Sequence, residues 1–454
     1  MVRPRLSRRT FGTLIVAALL LLQPSTLASA SAPAPPAAPP PSAPYVGDEV
    51  VVKLKPGALP ESFRPYAPGA QVQTGATVAL AALGVTILKV PDGKVPQVVA
   101  DLKRSPVVEF AEPNYLVHTA VITPSDPGWA NQYGPVRIQA PQAWDITIGS
   151  SSVTIAVIDS GVDLDHPDLA SKIWTNPGET GGGKQTNGVD DDGDGYVDDW
   201  RGWDFVNGDN NPQDDYGHGT HVSGIAAAAS DNGIGIAGIA WGAQIMPLKI
   251  LDNTGNGSDS DVASAMVWAT DHGAQIINLS LGGDAPASVM EAAVNYAYGR
   301  GVTVVAAAGN SGRSGVLYPA AYRDVIAVAA TDINNNHAGF STYGPEVDLA
   351  APGVGVYSTY WSPGGSSTYF SLSGTSMATP HVAGVAALLA SLPQFNTPDK
   401  IRQALEETAL DLGPVCRDPY YGSGLVQAYA ALQFNPGAQP AKCDYYFIPW
   451  LVKP

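Results

Sequence analysis

The chain has 454 residues, of which 45% are hydrophobic, and its formal net charge is −17. This length and apolar content can bury a large core, which excludes a disordered protein. The acidity argues against nucleic acid and anionic membrane surfaces as partners, because both would repel a chain of this charge. The two cysteines, Cys416 and Cys443, are either free thiols or one disulfide bridge.

Residues 1–30 have the pattern of an export signal, with a basic start, an apolar run over 11–22 and small residues before the end. The apolar run is too short to cross a membrane comfortably, so we expect a secreted, extracellular protein with no membrane span in its mature form. The pair Arg8-Arg9 also fits a twin-arginine signal, which leaves the export route open. Residues 31–44 are rich in Pro, Ala and Ser and predict an extended linker.

A small α+β unit is predicted for residues 45–121, before the main domain. Its segments alternate between strand-like and helical patterns, with strands over 49–55, 84–90 and 107–118 and helices over 71–83 and 95–104.

The region 122–434 alternates strands and helices throughout, and this alternation predicts an α/β fold with a mainly parallel, doubly wound sheet. The predicted elements are strands over 153–158, 245–250, 276–281, 302–308 and 325–330, and helices over 218–229, 259–272, 287–298 and from 376 onward. The remaining residues, 435–454, form a C-terminal tail with an aromatic run. That run either packs on the domain or makes a surface contact.

Three polar residues stand at the ends of these elements. Asp159 ends a β-branched strand, His218 begins a small-residue helix, and Ser376 begins an apolar helix after what we interpret as a strained turn. Each has a structural interpretation when taken alone, such as an N-cap for Ser376. However, a serine becomes a good nucleophile when a histidine takes its proton and a buried carboxylate orients that histidine. Together the three residues predict nucleophilic catalysis.

The motifs Val157–Gly161, Gly217–His221 and Gly374–His381, in the order Asp, His, Ser, resemble those of the subtilisin-like serine proteases, and of their thermitase-like subgroup in particular. The resemblance covers residues 122–434. It implies a serine endopeptidase that cuts polypeptides through an acyl-enzyme, with Asp159, His218 and Ser376 as the triad. Asn310 matches the side chain of the family's oxyanion hole, where an amide donor would stabilise the tetrahedral intermediate.

The same resemblance places an extended substrate between the segments 279–283 and 252–258, where strand-like edges would bind its backbone. The first specificity pocket, for the P1 side chain, is matched by Leu281, Gly282, Gly283, Ala307, Gly309 and Leu317. Several relatives carry a small or polar residue where Leu317 stands. A leucine there predicts a shallow apolar pocket that prefers Ala, Leu or Met over Phe or Tyr, unless its side chain turns away.

An acidic loop predicts a calcium site, with the alternate carboxylates of Asp190, Asp192 and Asp194 and the carbonyl of Tyr196 as ligands. The loop departs from the full EF-hand pattern, because Arg201 stands where a closing Glu is usual. Either Asp198 or Asp199 is then expected to complete the shell. The alternative is a solvated acidic loop without an ion.

Two further calcium sites are implied by the resemblance to thermitase-like proteases. The first is matched by Asp126, Asp168 and Asn232 with the carbonyls of Ser230, Ile234 and Ile236, and the second by Asp204, Asp209 and Gln213 with the carbonyl of Asn211.

The resemblance also implies that residues 45–121 are an inhibitory propeptide, cut near residues 120–122 by the protein's own active site. The alternative for this unit is an independent binding domain. For the whole protein we expect a self-processing monomer. The rival functions are an inactive pseudo-protease that only binds peptides and an exopeptidase relative.

Overall fold

A computed structural model describes residues 45–72, 80–91, 93–115, 122–362 and 364–436. Its described residues up to 115 and from 122 onward belong to two separate compact units. The predicted export signal, the linker and nearly all of the C-terminal tail lie outside these ranges. Within them, no helix is long and apolar enough to cross a membrane. Cys416 is disulfide-bonded, and the only other cysteine, Cys443, lies outside the described residues.

The N-terminal unit is a four-stranded antiparallel sheet with one α-helix. The strands are β1 Tyr45–Leu54, β2 Gln71–Val72, β3 Val85–Lys89 and β4 Val108–Tyr115, in the spatial order β2-β3-β1-β4. The helix Val95–Lys103 buries Val95, Val98, Val99 and Leu102, the spacing of one helical face. The helix predicted over 71–83 is wrong at its start, where 71–72 join the sheet, whereas residue 80 is helical and 81–83 form a 3-10 helix. Residues 73–79, between them, are not described.

The second unit is built on a seven-stranded sheet whose paired strands are all parallel. Its spatial order is β11-β10-β9-β8-β5-β7-β6. The strands are β5 Thr154–Asp159, β6 Trp203–Asp204, β7 Gln244–Lys249, β8 Ile276–Leu279, β9 Thr303–Ala307, β10 Val325–Thr331 and β11 Leu349–Pro352.

Both faces of this sheet are buried, as an all-parallel sheet requires. In β5, Ile155 and Val157 join one core, whereas Ala156 and Ile158 join the other. The first core contains the histidine helix His218–Ala227 and the serine helix Thr375–Ala390, and the second contains the helices Asp259–Asp271 and Ser288–Gly299. This arrangement confirms the predicted doubly wound fold.

Further helices complete the described parts of both units. The α-helices are Gly134–Arg137, Ala140–Trp144, Pro398–Glu407 and Ala428–Gln433, and the 3-10 helices are Pro60–Tyr66, Ala81–Leu83, Pro127–Asn131, Ala170–Lys172 and Lys184–Thr186.

A hairpin that the sequence analysis did not predict clamps the histidine helix. Its strands are β12 Val356–Ser362 and β13 Ser366–Leu372. Ser358 Oγ donates to the carbonyl of His221 at 2.8 Å, and Thr359 Oγ1 donates to that of Thr220 at 2.7 Å. Because two of the three buried positions of β12 are the hydroxyl residues Ser358 and Thr359, the strand lacks the apolar alternation that would reveal it in the sequence.

Candidate active site

Asp159 and His218 form a hydrogen-bonded pair at the carboxyl end of β5. Asp159 is fully buried, and its Oδ1 lies 2.7 Å from His218 Nδ1 and accepts the Ser160 N–H at 2.7 Å. A bond of this kind fixes the orientation of the imidazole and leaves Nε2 to accept a proton. The site lies where parallel α/β sheets place their ligands, outside the carboxyl ends of the strands.

Glycine allows the histidine helix to reach the end of β5. A Cβ on Gly219 would overlap the carbonyl oxygen of Gly161, so a larger residue would push His218 away from Asp159. Gly217, just before the helix, has φ of +93°, a conformation that favours glycine.

Asp214, which the sequence analysis did not single out, ties these two elements together. Its buried carboxylate accepts hydrogen bonds from the N–H groups of Tyr216, Gly217 and Thr220, from Thr220 Oγ1, and from Ser160 Oγ. Burial raises the pKa of this carboxyl, against the effect of these bonds. The available signal was an acidic residue four positions before a histidine that begins a helix.

The two carboxylates set the basicity of His218. Burial alone lowers the pKa of the imidazole. The charge of Asp159, the hydrogen bond to it and the charge of Asp214 act in the opposite direction, and the pKa ends above its ordinary value.

Ser376 is the second residue of the serine helix. Its Oγ donates to the Ser280 carbonyl at 3.0 Å, while Ser280 Oγ donates to the Ser376 carbonyl at 2.9 Å. The second bond matters because Pro380 lacks the N–H that would otherwise bond that carbonyl within the helix. The strained turn expected before Ser376 is wrong, since Gly374 is extended, with φ of 163° and ψ of 161°.

Asn310 follows β9 and is held by its amide oxygen. Oδ1 accepts the Thr375 N–H at 2.9 Å and Thr375 Oγ1 at 3.0 Å. A Cβ on Gly374 would lie 3.5 Å from Nδ2, so the donor end of the amide points to the start of the serine helix. His218, Asn310 and Ser376 line one cavity of about 620 Å³.

The two predicted substrate segments also lie together. Residues 255–259 and 280–283 line a second cavity of about 380 Å³, which His218 also borders. Gly283 is already paired with Tyr318 by two backbone bonds of 2.8 and 2.9 Å. Of the residues predicted for the P1 pocket, Leu281 and Gly282 line this cavity. Ala307, another of them, is the last residue of β9 and is buried.

Leu317 lies against the two glycines predicted as pocket walls. A Cβ on Gly309 would come within 2.8 Å of Leu317 Cγ, and a Cβ on Gly282 would come within 2.8 Å of Leu317 Cβ. Side chains larger than glycine at either position would displace this leucine.

The acidic loop brings together the three carboxylates predicted for it. Oxygen atoms of Asp190, Asp192 and Asp194 lie within 4.8 Å of one another. Of the two residues expected to complete the shell, Asp198 bonds the N–H groups of Asn187 and Gly188 instead. Tyr196 packs its ring against Trp203 and Trp268.

Asp199 is fully buried beneath this loop. Burial raises the pKa of Asp199 to about 7, an effect that the charges of Asp194, Asp192 and Glu179 reinforce and the Asn176 hydrogen bond opposes.

The side chains expected for the first site implied by resemblance lie near one another. Asp126 accepts the N–H groups of Asp231 and Asn232 at 2.7 and 3.2 Å, and Asp168 accepts the Ile236 N–H at 2.9 Å. Asn232 Nδ2 lies 3.5 Å from Asp168. The carbonyl ligands predicted for this site, from Ser230, Ile234 and Ile236, belong to the same short segment.

The residues of the second implied site are not all directed toward one point. Asp204 and Asp209 face each other across one turn, where Asp204 accepts from Val206 and Asn207. The Gln213 N–H donates to the Asn211 carbonyl at 2.7 Å. The side chain of Gln213, however, bonds the Leu164 N–H and Asp163.

Comparison with known families agrees with this geometry. The model of the subtilase family matches residues 150–424, which is more than half of the chain. The model of the fervidolysin N-terminal prodomain matches residues 31–114.

Individual relatives extend the match over most of the chain. Thermitase of Thermoactinomyces vulgaris is 49% identical over 313 residues, covering 69% of this chain and 100% of thermitase. The thermophilic serine proteinase of Bacillus sp. strain AK1 is 45% identical over 349 residues, covering 77% of this chain and 78% of the relative. A solved protease structure from Pseudoalteromonas arctica PAMC 21717 is 32% identical, with a TM-score of 0.59, and covers 69% of this chain and 99% of its own.

Proposed function

Because this chain belongs to the subtilase family and is a serine endopeptidase, we propose that it is a self-processing, exported precursor whose catalytic unit depends on calcium for stability. The prodomain match supports the precursor form. The basic and apolar pattern of residues 1–30 supports export to the cell exterior.

In the proposed mechanism, His218 Nε2 takes the proton of Ser376 Oγ as that oxygen attacks the scissile carbonyl. Asp159 holds the imidazole and stabilises its charged form. The Ser376 N–H and Asn310 Nδ2 donate to the oxyanion of the tetrahedral intermediate. The imidazolium then gives its proton to the leaving amine, and a water molecule hydrolyses the acyl-enzyme by the same route.

The observation that carries this proposal is the 2.7 Å bond between His218 and Asp159, at the edge of a cavity that Ser376 and Asn310 also line. A serine-directed fluorophosphonate should label Ser376 of the matured enzyme, and the label should be found by peptide mass analysis. The His218→Ala variant should remain unlabelled, because its serine is not activated. Label on another serine would overturn the assignment.

Digestion of a long peptide with mapping of the products tests the rival function. Products cut only from the chain ends would favour an exopeptidase.

Calcium is proposed because the clustered donors are all oxygen atoms, the ligands that this hard cation prefers. Chelation should lower the thermal midpoint by about 5 °C for each site that empties, since a ligand at 100 times its Kd stabilises by about 2.7 kcal/mol. Calorimetry of the full chain carrying Ser376→Ala, which cannot digest itself, measures this shift. A midpoint equal in chelator and in millimolar calcium would refute the calcium dependence.

Leu317 is proposed to make the P1 pocket shallow, because it lies between Gly309 and Gly282. Filling this volume should disfavour large aromatic P1 residues by about 1 to 3 kcal/mol. We therefore expect kcat/KM for a P1 Leu peptide to exceed that for the matching P1 Phe peptide by roughly 10- to 200-fold.

The variants Leu317→Ala and Leu317→Gly give a graded test of this pocket. The preference for Leu over Phe should shrink in Leu317→Ala and shrink further in Leu317→Gly, while kcat/KM for P1 Ala changes little. An unaltered ratio in both variants would show that Leu317 does not limit the pocket.

A further inference from the structure

We propose that Glu179, Asp192 and Asp199 bind a calcium ion beneath the acidic loop, at what we call the inner site. This inference rests on the calcium dependence proposed above and deepens it, because Glu179 lies outside the loop that the sequence pattern identifies. The inner site shares Asp192 with the loop carboxylates Asp190 and Asp194.

The three carboxylates converge on one point. One oxygen from each of Glu179, Asp192 and Asp199 lies within 4.8 Å of the others, and Glu179 and Asp199 are fully buried. Asn176 holds two of them in place, since its Nδ2 donates to Asp192 at 2.9 Å and to Asp199 at 2.8 Å. A Cβ on Gly178 would overlap the Asp192 side chain, so a larger residue there would displace this carboxylate.

Each buried carboxylate uses one oxygen for hydrogen bonds and leaves the other without a hydrogen bond among the described residues. Glu179 Oε1 accepts the N–H groups of Asp191 and Asp192, whereas Oε2 accepts no bond. Asp199 Oδ1 accepts from Asn176, whereas Oδ2 accepts none. A buried oxygen without a hydrogen bond destabilises the folded protein, and more so when it is charged. Two such oxygens in one cluster indicate a ligand that both can bind.

The nearby cationic side chains do not neutralise the cluster. Lys184 Nζ donates to the Gly178 carbonyl at 2.8 Å rather than to a carboxylate. His272 Nε2 lies 3.2 Å from Asp194 and 3.7 Å from Asp199, so at most one imidazolium charge would face this group. The described residues thus leave the three carboxylates short of positive charge.

The type of ligand atom in the inner site indicates which ion it would bind. Carboxylate oxygens suit calcium or magnesium better than the softer transition metals, which prefer nitrogen and sulfur. Calcium accepts six to eight oxygens in flexible geometry, which suits carboxylates from separate segments, whereas magnesium demands a near-ideal octahedron. Water would supply the remaining ligands.

The test compares Glu179→Gln and Asp199→Asn in the full chain carrying Ser376→Ala. Both substitutions keep the side-chain shape and remove one charge. In chelator each variant should have a higher thermal midpoint than its parent, because a buried charge without compensation is removed. In millimolar calcium each should have a lower midpoint, and equilibrium dialysis should find one calcium fewer per chain. The control Asp190→Asn changes a carboxylate of the acidic loop that is not part of the inner site, so this variant should still bind the inner calcium ion.

The reversal of sign distinguishes an ion site from a structural role. If Glu179→Gln lowers the midpoint equally in chelator and in calcium, and the number of bound calcium ions is unchanged, the inner site is wrong while calcium dependence stands. If the parent binds no calcium, the calcium dependence itself fails, and the inner site fails with it.

Discussion

Replacing Ser376 with alanine is expected to abolish peptide hydrolysis and to leave the precursor uncut. The substitution removes the only atom proposed to attack the scissile carbonyl, and the His218–Asp159 pair then has no proton to take. In subtilisin, loss of the serine reduces kcat by about 10⁶-fold. Purified Ser376→Ala chain should therefore stay at full length on gels and by mass, whereas the natural chain shortens.

Two controls separate lost chemistry from lost folding. Ser373→Ala changes a second serine in the same cavity and should still mature. A trace of active enzyme added to Ser376→Ala should cut it near residues 120–122, because the processing site is untouched. Maturation of the purified Ser376→Ala chain by itself would show that another site performs the cut.

The sequence was most informative where a catalytic residue stands at the end of a run with a clear strand or helix pattern. The β-branched run ending in Asp159 predicted a buried parallel strand, and β5 ends at that residue. Apolar density predicted the serine helix, which is buried at nearly every position. Both inferences are local, because each rests on a single run of adjacent residues.

The partners of the site could not be predicted, because they depend on contacts between distant segments. Ser280, which follows β8, donates to the Ser376 carbonyl, and Thr375 holds the amide of Asn310. The hairpin that clamps the histidine helix is rich in serine, threonine and tyrosine, and its apolar residues do not alternate regularly with polar ones. Glu179 meets the acidic loop only after folding, so no motif includes it.

Replacing Asp159 with asparagine is expected to lower kcat by about 10⁴-fold while KM changes little. The amide preserves the shape of the side chain, but it no longer holds His218 in the tautomer that accepts a proton from Ser376. The charge that raises the pKa of His218 is also lost. The neutral imidazole is the active form, so kcat/KM rises with pH as His218 loses its proton. This rising part of the pH profile, its acid limb, should move to lower pH in Asp159→Asn.

The control is Asp165→Asn, which removes an exposed carboxylate of the same segment and should keep both the rate and the acid limb. Measuring kcat/KM from pH 4 to 9, a range that brackets the ordinary histidine pKa of about 6.5, tests both effects. A loss in kcat with the acid limb unmoved would mean that a group other than His218 sets the limb. Full activity in Asp159→Asn would contradict the proposed pairing, because the 2.7 Å bond would then have no catalytic role.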